Sequence, residues 1–142
     1  MTGQEMYSFM THNPAFFLAT SEGNQPRVRG MLLYKADENG ILFHTGTFKD
    51  LYRQLMVNPR VEPCFNDFKA GIQLRAYGEL ESVEDLQIKE EIMAHPSRKF
   101  LRDWRDSGDF DIDGLAVFRL IPEGATIWSM DRNFSGKESV VL

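Results

Sequence analysis

With 142 residues, 42% of them hydrophobic and 11 of them phenylalanine, the chain is long and apolar enough to bury a core, which excludes intrinsic disorder. A formal charge of -5 excludes a fold-wide basic footprint for nucleic acid, and the single cysteine, Cys64, excludes an internal disulfide or a CxxC pair. No apolar run approaches the roughly 20 residues that cross a bilayer, and Met1 to His12 lacks a basic cluster ahead of an apolar run. The expectation is a soluble cytoplasmic protein without a signal peptide.

Taken in chain order, Thr2 to Met10 spaces Met6, Phe9 and Met10 as a helix does, and Asn13-Pro14 stops it. Ala15 to Thr20 is an apolar run suited to a buried strand. Gly23-Asn24 then signals a hairpin turn. Arg27 to Ala36 reads as the second strand, Asn39-Gly40 as the next turn and Ile41 to Thr45 as the third strand, giving an antiparallel meander. Phe48 to Val57 presents Phe48, Leu51, Tyr52 and Leu55 along one helical face, with Thr47 as its N-cap and Asn58-Pro59 as its end.

Val61 to Phe65 and Ile72 to Ser82 are two further strands. The second alternates Ile72, Leu74 and Ala76 with Gln73, Arg75 and Tyr77, as a barrel wall does when its outer face meets a ligand or partner. Ser82 to Asp85 resembles a capping box that opens a helix running to His95. Ser97 to Trp104 adds a helical turn or two, and Ser107 to Asp113 is an acidic loop that sequence alone assigns neither to a lid nor to solvent. Leu115 to Ile121 and Ala125 to Met130 form the last strand pair, and the tail after Asp131 is irregular. The sum is a mainly β chain, one domain over residues 1–142, an antiparallel barrel of six or seven strands with a few short helices.

The chemistry concentrates between Arg27 and Asp50. Arg27 and Arg29 alternate along a strand and leave one face. The next strand ends in His44-Thr45-Gly46-Thr47, and a helix follows with Lys49 in its first turn. A helix start offers unpaired N–H groups and partial positive charge, and a lysine placed there opposes the helix dipole unless an anion offsets it. Gly46 leaves room for a ligand to approach the backbone. Singly, these residues also read as an exposed barrel surface and a plain cap. In this order they define an anion site without naming the ligand. The three histidines are scattered and give no metal motif. Cys64, on an apolar strand, reads as a small core residue.

The run PRVRGMLLYKADENGILFHTGTFKDLYRQLMVNPRV resembles the signature region of the pyridoxamine 5'-phosphate oxidase-like, FMN-binding split-barrel family, and the likeness extends over about residues 14 to 82. The resemblance implies that Arg29, Thr47 and Lys49 hold the FMN phosphate, that His44 and Thr45 lie along the isoalloxazine ring, and that Gln73, five residues before Gly78, contacts the flavin. It also implies a homodimer with the flavin in a groove built by both chains, with Arg29, Lys49 and Gln73 presented outside each subunit's core and Arg75 and Tyr77 at or near the interface. Trp128 then either reaches the partner's flavin or packs in the core. His44 either hydrogen-bonds the flavin, protonates a substrate or merely packs along the ring. Arg132-Asn133-Phe134 does not match the Arg-x-His motif of true pyridoxamine 5'-phosphate oxidases, which points away from vitamin B6 synthesis. The functional expectation is an FMN-dependent oxidoreductase of unspecified substrate. A non-catalytic flavin or haem module and a deazaflavin-dependent reductase remain open on the same fold.

Overall fold

A computed structural model describes residues 1–142. The N-terminal helix α1 (Gly3–His12) is fixed by a capping box in which Thr2 Oγ accepts from the Glu5 backbone N–H while the Glu5 carboxylate accepts from the Thr2 N–H. Its apolar spacing turns Met6 and Met10 fully inward, each contributing about 2 kcal/mol of burial.

Strands β1 (Ala15–Glu22) and β2 (Gln25–Leu32) form a hairpin around Gly23, whose φ of 60° favours glycine. The single strand expected from Arg27 to Ala36 is in fact two. Leu32 faces Ala15, the first residue of β1, so beyond it β2 has no partner left to pair with. The chain crosses over at Leu33 and Tyr34, and β3 (Lys35–Asp37) pairs with β4 (Gly40–Gly46) instead. The meander is therefore two separate hairpins, and β2 is an edge strand.

After helix α2 (Asp50–Val57), strand β5 (Arg60–Asp67) pairs with β1 on one side and with the long β6 (Ile72–Val83) on the other. β7 (Leu115–Leu120) and β8 (Gly124–Ser129), expected to pair with each other, both lie against β6 instead. β8 takes Ile72 to Tyr77, and β7 takes Leu80 to Val83 before joining β4. The division falls at Gly78, where a Cβ would meet Leu120 Cδ1 at 3.0 Å and the Ile121 carbonyl at 3.3 Å. The strand order is β2-β1-β5-β6-β7-β4-β3, with β8 on β6: an antiparallel split barrel whose two ends stay open.

The interior is built around Phe16, Phe43, Phe65 and Phe118. Phe16 stacks on Phe65 with ring centroids 4.6 Å apart and meets Phe43 edge-on at 5.6 Å. α1 closes one side with Met6 and Met10, and α2 another with Leu51 and Leu55. A smaller cluster of Val83, Ile92, Met93, Leu101, Leu115 and Val117 attaches α3 (Leu86–Ala94) and α4 (Lys99–Asp106) to the β6–β7 end.

Four local expectations are corrected. α3 is capped by Asp85, which accepts from the Gln87 N–H, because buried Val83 still pairs with Val117 and keeps Ser82 in the strand. α2 begins at Asp50 rather than Phe48, with Lys49, not Thr47, at its cap position. The tail is not irregular throughout: β9 (Glu138–Ser139) pairs with β8, and Val140 enters the core. Cys64 faces away from the core, since its neighbours Pro63 and Phe65 occupy the inner positions of β5.

Candidate functional site

β2, the end of β4 and the start of α2 converge on a pocket of about 590 Å³. Arg29 stands opposite Leu18 on the inward face of the hairpin, where β2 has no further strand beside it. Its guanidinium donates to the Leu18 carbonyl at 3.1 Å, to Thr20 Oγ at 2.7 Å and to Gln54 Oε1. Thr20 and Gln54 are both buried, and Thr20 Oγ donates to Gln54 Oε1 at 2.8 Å, so the arginine is held by partners that are themselves fixed. Burial and the nearby Arg27 pull the Arg29 pKa below the ordinary arginine value.

The remaining charges in this pocket sort simply. Arg27 pairs with Glu22 at 2.9 Å, and Asp50 pairs with Arg53. Arg29 and Lys49 have no carboxylate partner. Lys49 occupies the N-cap position of α2 without a side-chain cap, so the first N–H groups of this eight-residue helix are left to other acceptors. Two uncompensated cations at an uncapped helix start fit a phosphate.

A second, aromatic pocket of about 220 Å³ adjoins the first, and Gly30, Met31, Thr45 and Lys49 line both. Its walls are His44 from β4, Phe48 from the turn before α2, Phe100 and Trp104 from α4, and Phe110 from the acidic loop. That loop therefore contributes one aromatic side chain to the pocket. Gly46 makes room for the Phe48 ring rather than for a ligand: a Cβ there would stand 2.4 Å from Phe48 Cε1.

His44 Nε2 accepts a hydrogen bond from Arg98 Nε at 2.9 Å. Burial, reinforced by the Arg98 charge, lowers the imidazole pKa to about 4. The ring is neutral at pH 7, so it acts as a hydrogen-bonding group and not as an imidazolium acid.

The residues singled out in the sequence thus divide. Arg29, Thr45 and Lys49 share the first pocket, and His44, Thr45 and Lys49 the second. Thr47 lines neither. The Lys49 N–H bonds back to the Gly46 carbonyl, placing Thr47 at the corner of a turn, where its own N–H donates to the Gly114 carbonyl. Gln73 is on the opposite face of the sheet from Arg29, donating to Asn66 Oδ1 at 3.1 Å beside Trp128. Arg29 and Gln73 both lie outside the hydrophobic core but leave opposite faces of the sheet: Arg29 follows Leu18, and Gln73 alternates with fully buried Leu74. Trp128 is 38% exposed on the Gln73 face, with its Nε1 donating to Asn133 Oδ1, so it is not a core residue.

Sequence reasoning missed Thr20, Gln54 and Arg98. Gln54 carries a readable signal, as a polar residue between Leu51 and Leu55 on the buried face of a helix. Arg98 carries none, since its contact with His44 spans 54 residues.

The fold and its pockets define a split-barrel protein with a pocket lined by Arg29 and Lys49 and an adjoining aromatic cleft. Residues 2–129 match the family described as pyridoxamine 5'-phosphate oxidase, and the chain belongs to that family. Among solved structures, a NimC/NimA family protein from Clostridium acetobutylicum superposes with a TM-score of 0.72 at 24% identity, covering 95% of this chain and 89% of that one. A pyridoxamine 5'-phosphate oxidase-related, FMN-binding protein from Nostoc punctiforme gives 0.70 at 18%, covering 89% and 84%. A FAD-binding protein from Mesorhizobium loti gives 0.65 at 19%, covering 87% and 91%. These likenesses establish the shared fold. No helix is long and apolar enough to cross a membrane.

Proposed function

We propose that the chain is an FMN-binding oxidoreductase that works as a homodimer, with one flavin in each groove between the two copies. The observation that carries this reading is the pairing of Arg29 and Lys49, both without carboxylate partners, at the uncapped start of α2 beside an aromatic cleft. Arg29 and Lys49 hold the phosphate, and Arg29, pre-oriented by Thr20 and Gln54, loses little freedom on binding. Thr45, shared by both pockets, and His44 line the path of the ring. Thr47 stays at the turn corner, so its contribution is through the backbone path rather than through a cap. Bound FMN supplies the electron transfer, and the protein orients it and excludes water.

The dimer half of the reading is supported by the opposite face of the sheet. Phe17, Val28, Tyr77 and Trp128 are all exposed there, around Gln73 and Arg75. Pairing two such faces covers this apolar surface and buries Gln73 and Trp128 against the second copy. FMN and FAD occur among the structural neighbours, and a single two-cation phosphate site suits a phosphate monoester, which favours FMN.

The test begins with the absorbance spectrum of the purified protein and the mass of whatever heat releases. Flavin bands with the FMN mass are expected. A colourless protein that also takes up no added FMN overturns the reading. Arg29→Ala combined with Lys49→Ala removes two charge-assisted contacts, so FMN affinity is expected to fall about 100-fold or more. Bleaching of the bound flavin by a reduced nicotinamide nucleotide, followed by reoxidation with an acceptor, separates an oxidoreductase from a storage module.

A further inference from the structure

Arg98 is 2% exposed, yet it belongs to no ion pair. Its guanidinium is satisfied instead by three neutral acceptors: His44 Nε2 at 2.9 Å, Ser97 Oγ at 3.0 Å and the Leu33 carbonyl at 2.8 Å. The rings of Tyr34 and Phe100 lie 5.3 and 5.9 Å from its carbon centre and offer their faces to the charge. Burying a cation without a counter-ion costs several kcal/mol, and no stability argument explains why this position carries one. Its placement behind a pocket-lining histidine does.

An arginine only donates, so the His44 nitrogen it meets must carry the lone pair. A neutral imidazole with its lone pair on Nε2 has its proton on Nδ1. Nδ1 has no protein partner. The only fully buried side-chain polar atom in the molecule lacking a partner is Arg119 Nε, so Nδ1 is not sealed inside the protein, and His44 lines the aromatic pocket. We infer that Arg98 is a positioning residue that fixes His44 as the Nδ1–H tautomer, so that the group bound in the aromatic pocket must present a hydrogen-bond acceptor to it. A carbonyl, nitro or carboxylate oxygen, or a ring nitrogen with a free lone pair, satisfies that donor, and an N–H or ammonium group does not. The tautomer is independent of the flavin reading, whereas the nature of the acceptor rests on it.

The test uses protein with ¹⁵N-labelled histidine, observed by long-range proton–nitrogen correlation at pH 7. In the ligand-free wild type, His44 is expected as a single neutral Nδ1–H form. Arg98→Met removes the donor, and His44 is expected to revert towards the Nε2–H form that an unconstrained imidazole prefers. Arg98→Lys keeps a donor and is expected to retain Nδ1–H, which a merely structural role for Arg98 does not predict. A wild-type His44 in the Nε2–H form overturns the inference even if neither variant folds, as does an unchanged tautomer in folded Arg98→Met. Adding FMN is expected to shift the Nδ1–H signal in the wild type, and Arg98→Met is expected to bind FMN about 3- to 10-fold more weakly, the loss of one ordinary hydrogen bond. An altered tautomer with unchanged FMN affinity overturns the acceptor half. Arg29→Ala with Lys49→Ala, by contrast, is expected to lose FMN while leaving the His44 tautomer intact, which separates failure of the phosphate site from failure of this one.

Discussion

His44 links protonation to folding as well as to ligand choice. Its folded pKa of about 4 lies below the ordinary 6.5, so the unfolded chain binds this proton more readily than the folded one. The associated stability is therefore complete above pH 6.5 and is lost as pH falls towards 4, amounting to about 3 kcal/mol over the whole window. His44→Gln cannot take up the proton. Urea titrations from pH 7 to 4.5 are expected to show a steeper loss for the wild type than for this variant, and parallel curves would show that the imidazole is not held neutral by its surroundings. The residue scale is also where the sequence was least legible. His44, Arg29 and Lys49 stand in one continuous run and could be read together. Arg98 and Thr20 acquire meaning only when β4 meets the turn before α4 and β2 meets β1.

At the scale of elements, local signals are informative where hydrogen bonds are local and misleading where pairing partners decide. Thr2 and Glu5 cap α1 within four residues, so Thr2→Ala is expected to lower stability by about 1 kcal/mol. Thr47 looks like an equally good cap in sequence, but the turn closed by the Lys49 N–H on Gly46 takes its place. Thr47→Ala is accordingly expected to stay within about 0.5 kcal/mol of the wild type in denaturant unfolding. A comparison of the two variants in one experiment distinguishes a real cap from an apparent one. Gly40 is a further fixed point. Its φ is 120°, and a Cβ would approach Arg119 Cγ at 2.8 Å and the Leu120 carbonyl at 3.0 Å, so Gly40→Ala is expected to cost about 2 kcal/mol or more. The break between β2 and β3 has no local signal at all. It arises because β1 begins at Ala15, a fact about the partner strand and not about residues 33 and 34.

Across the whole molecule, the alternation of Gln73, Arg75 and Tyr77 with Leu74 and Ala76 was legible, and it correctly divides a core face from an outer one. What alternation could not supply is that Arg29 takes the core side, because an edge strand lets a charged residue face inward and still reach water. The proposed dimer follows from the other side of the same sheet. Val28 is 68% exposed on the edge strand that borders the apolar patch. Val28→Glu together with Phe17→Glu is expected to give a monomer by light scattering and to weaken FMN retention, since the groove then lacks its second wall. A variant that stays dimeric and yellow would place the subunit contact elsewhere.

The double pairing of β6 has a further consequence. Between Ile72 and Arg75 its backbone is paired with β5 along one edge and with β8 along the other, and further on it passes to β7, so neither half of the barrel can open while leaving it intact. Its amides therefore have no cheap local route to solvent, unlike those of β2, which lies at the margin. Deuterium uptake at Ile72 to Arg75 becomes an internal gauge of global opening, against which the faster breathing of β2, and its expected slowing on FMN binding, is read.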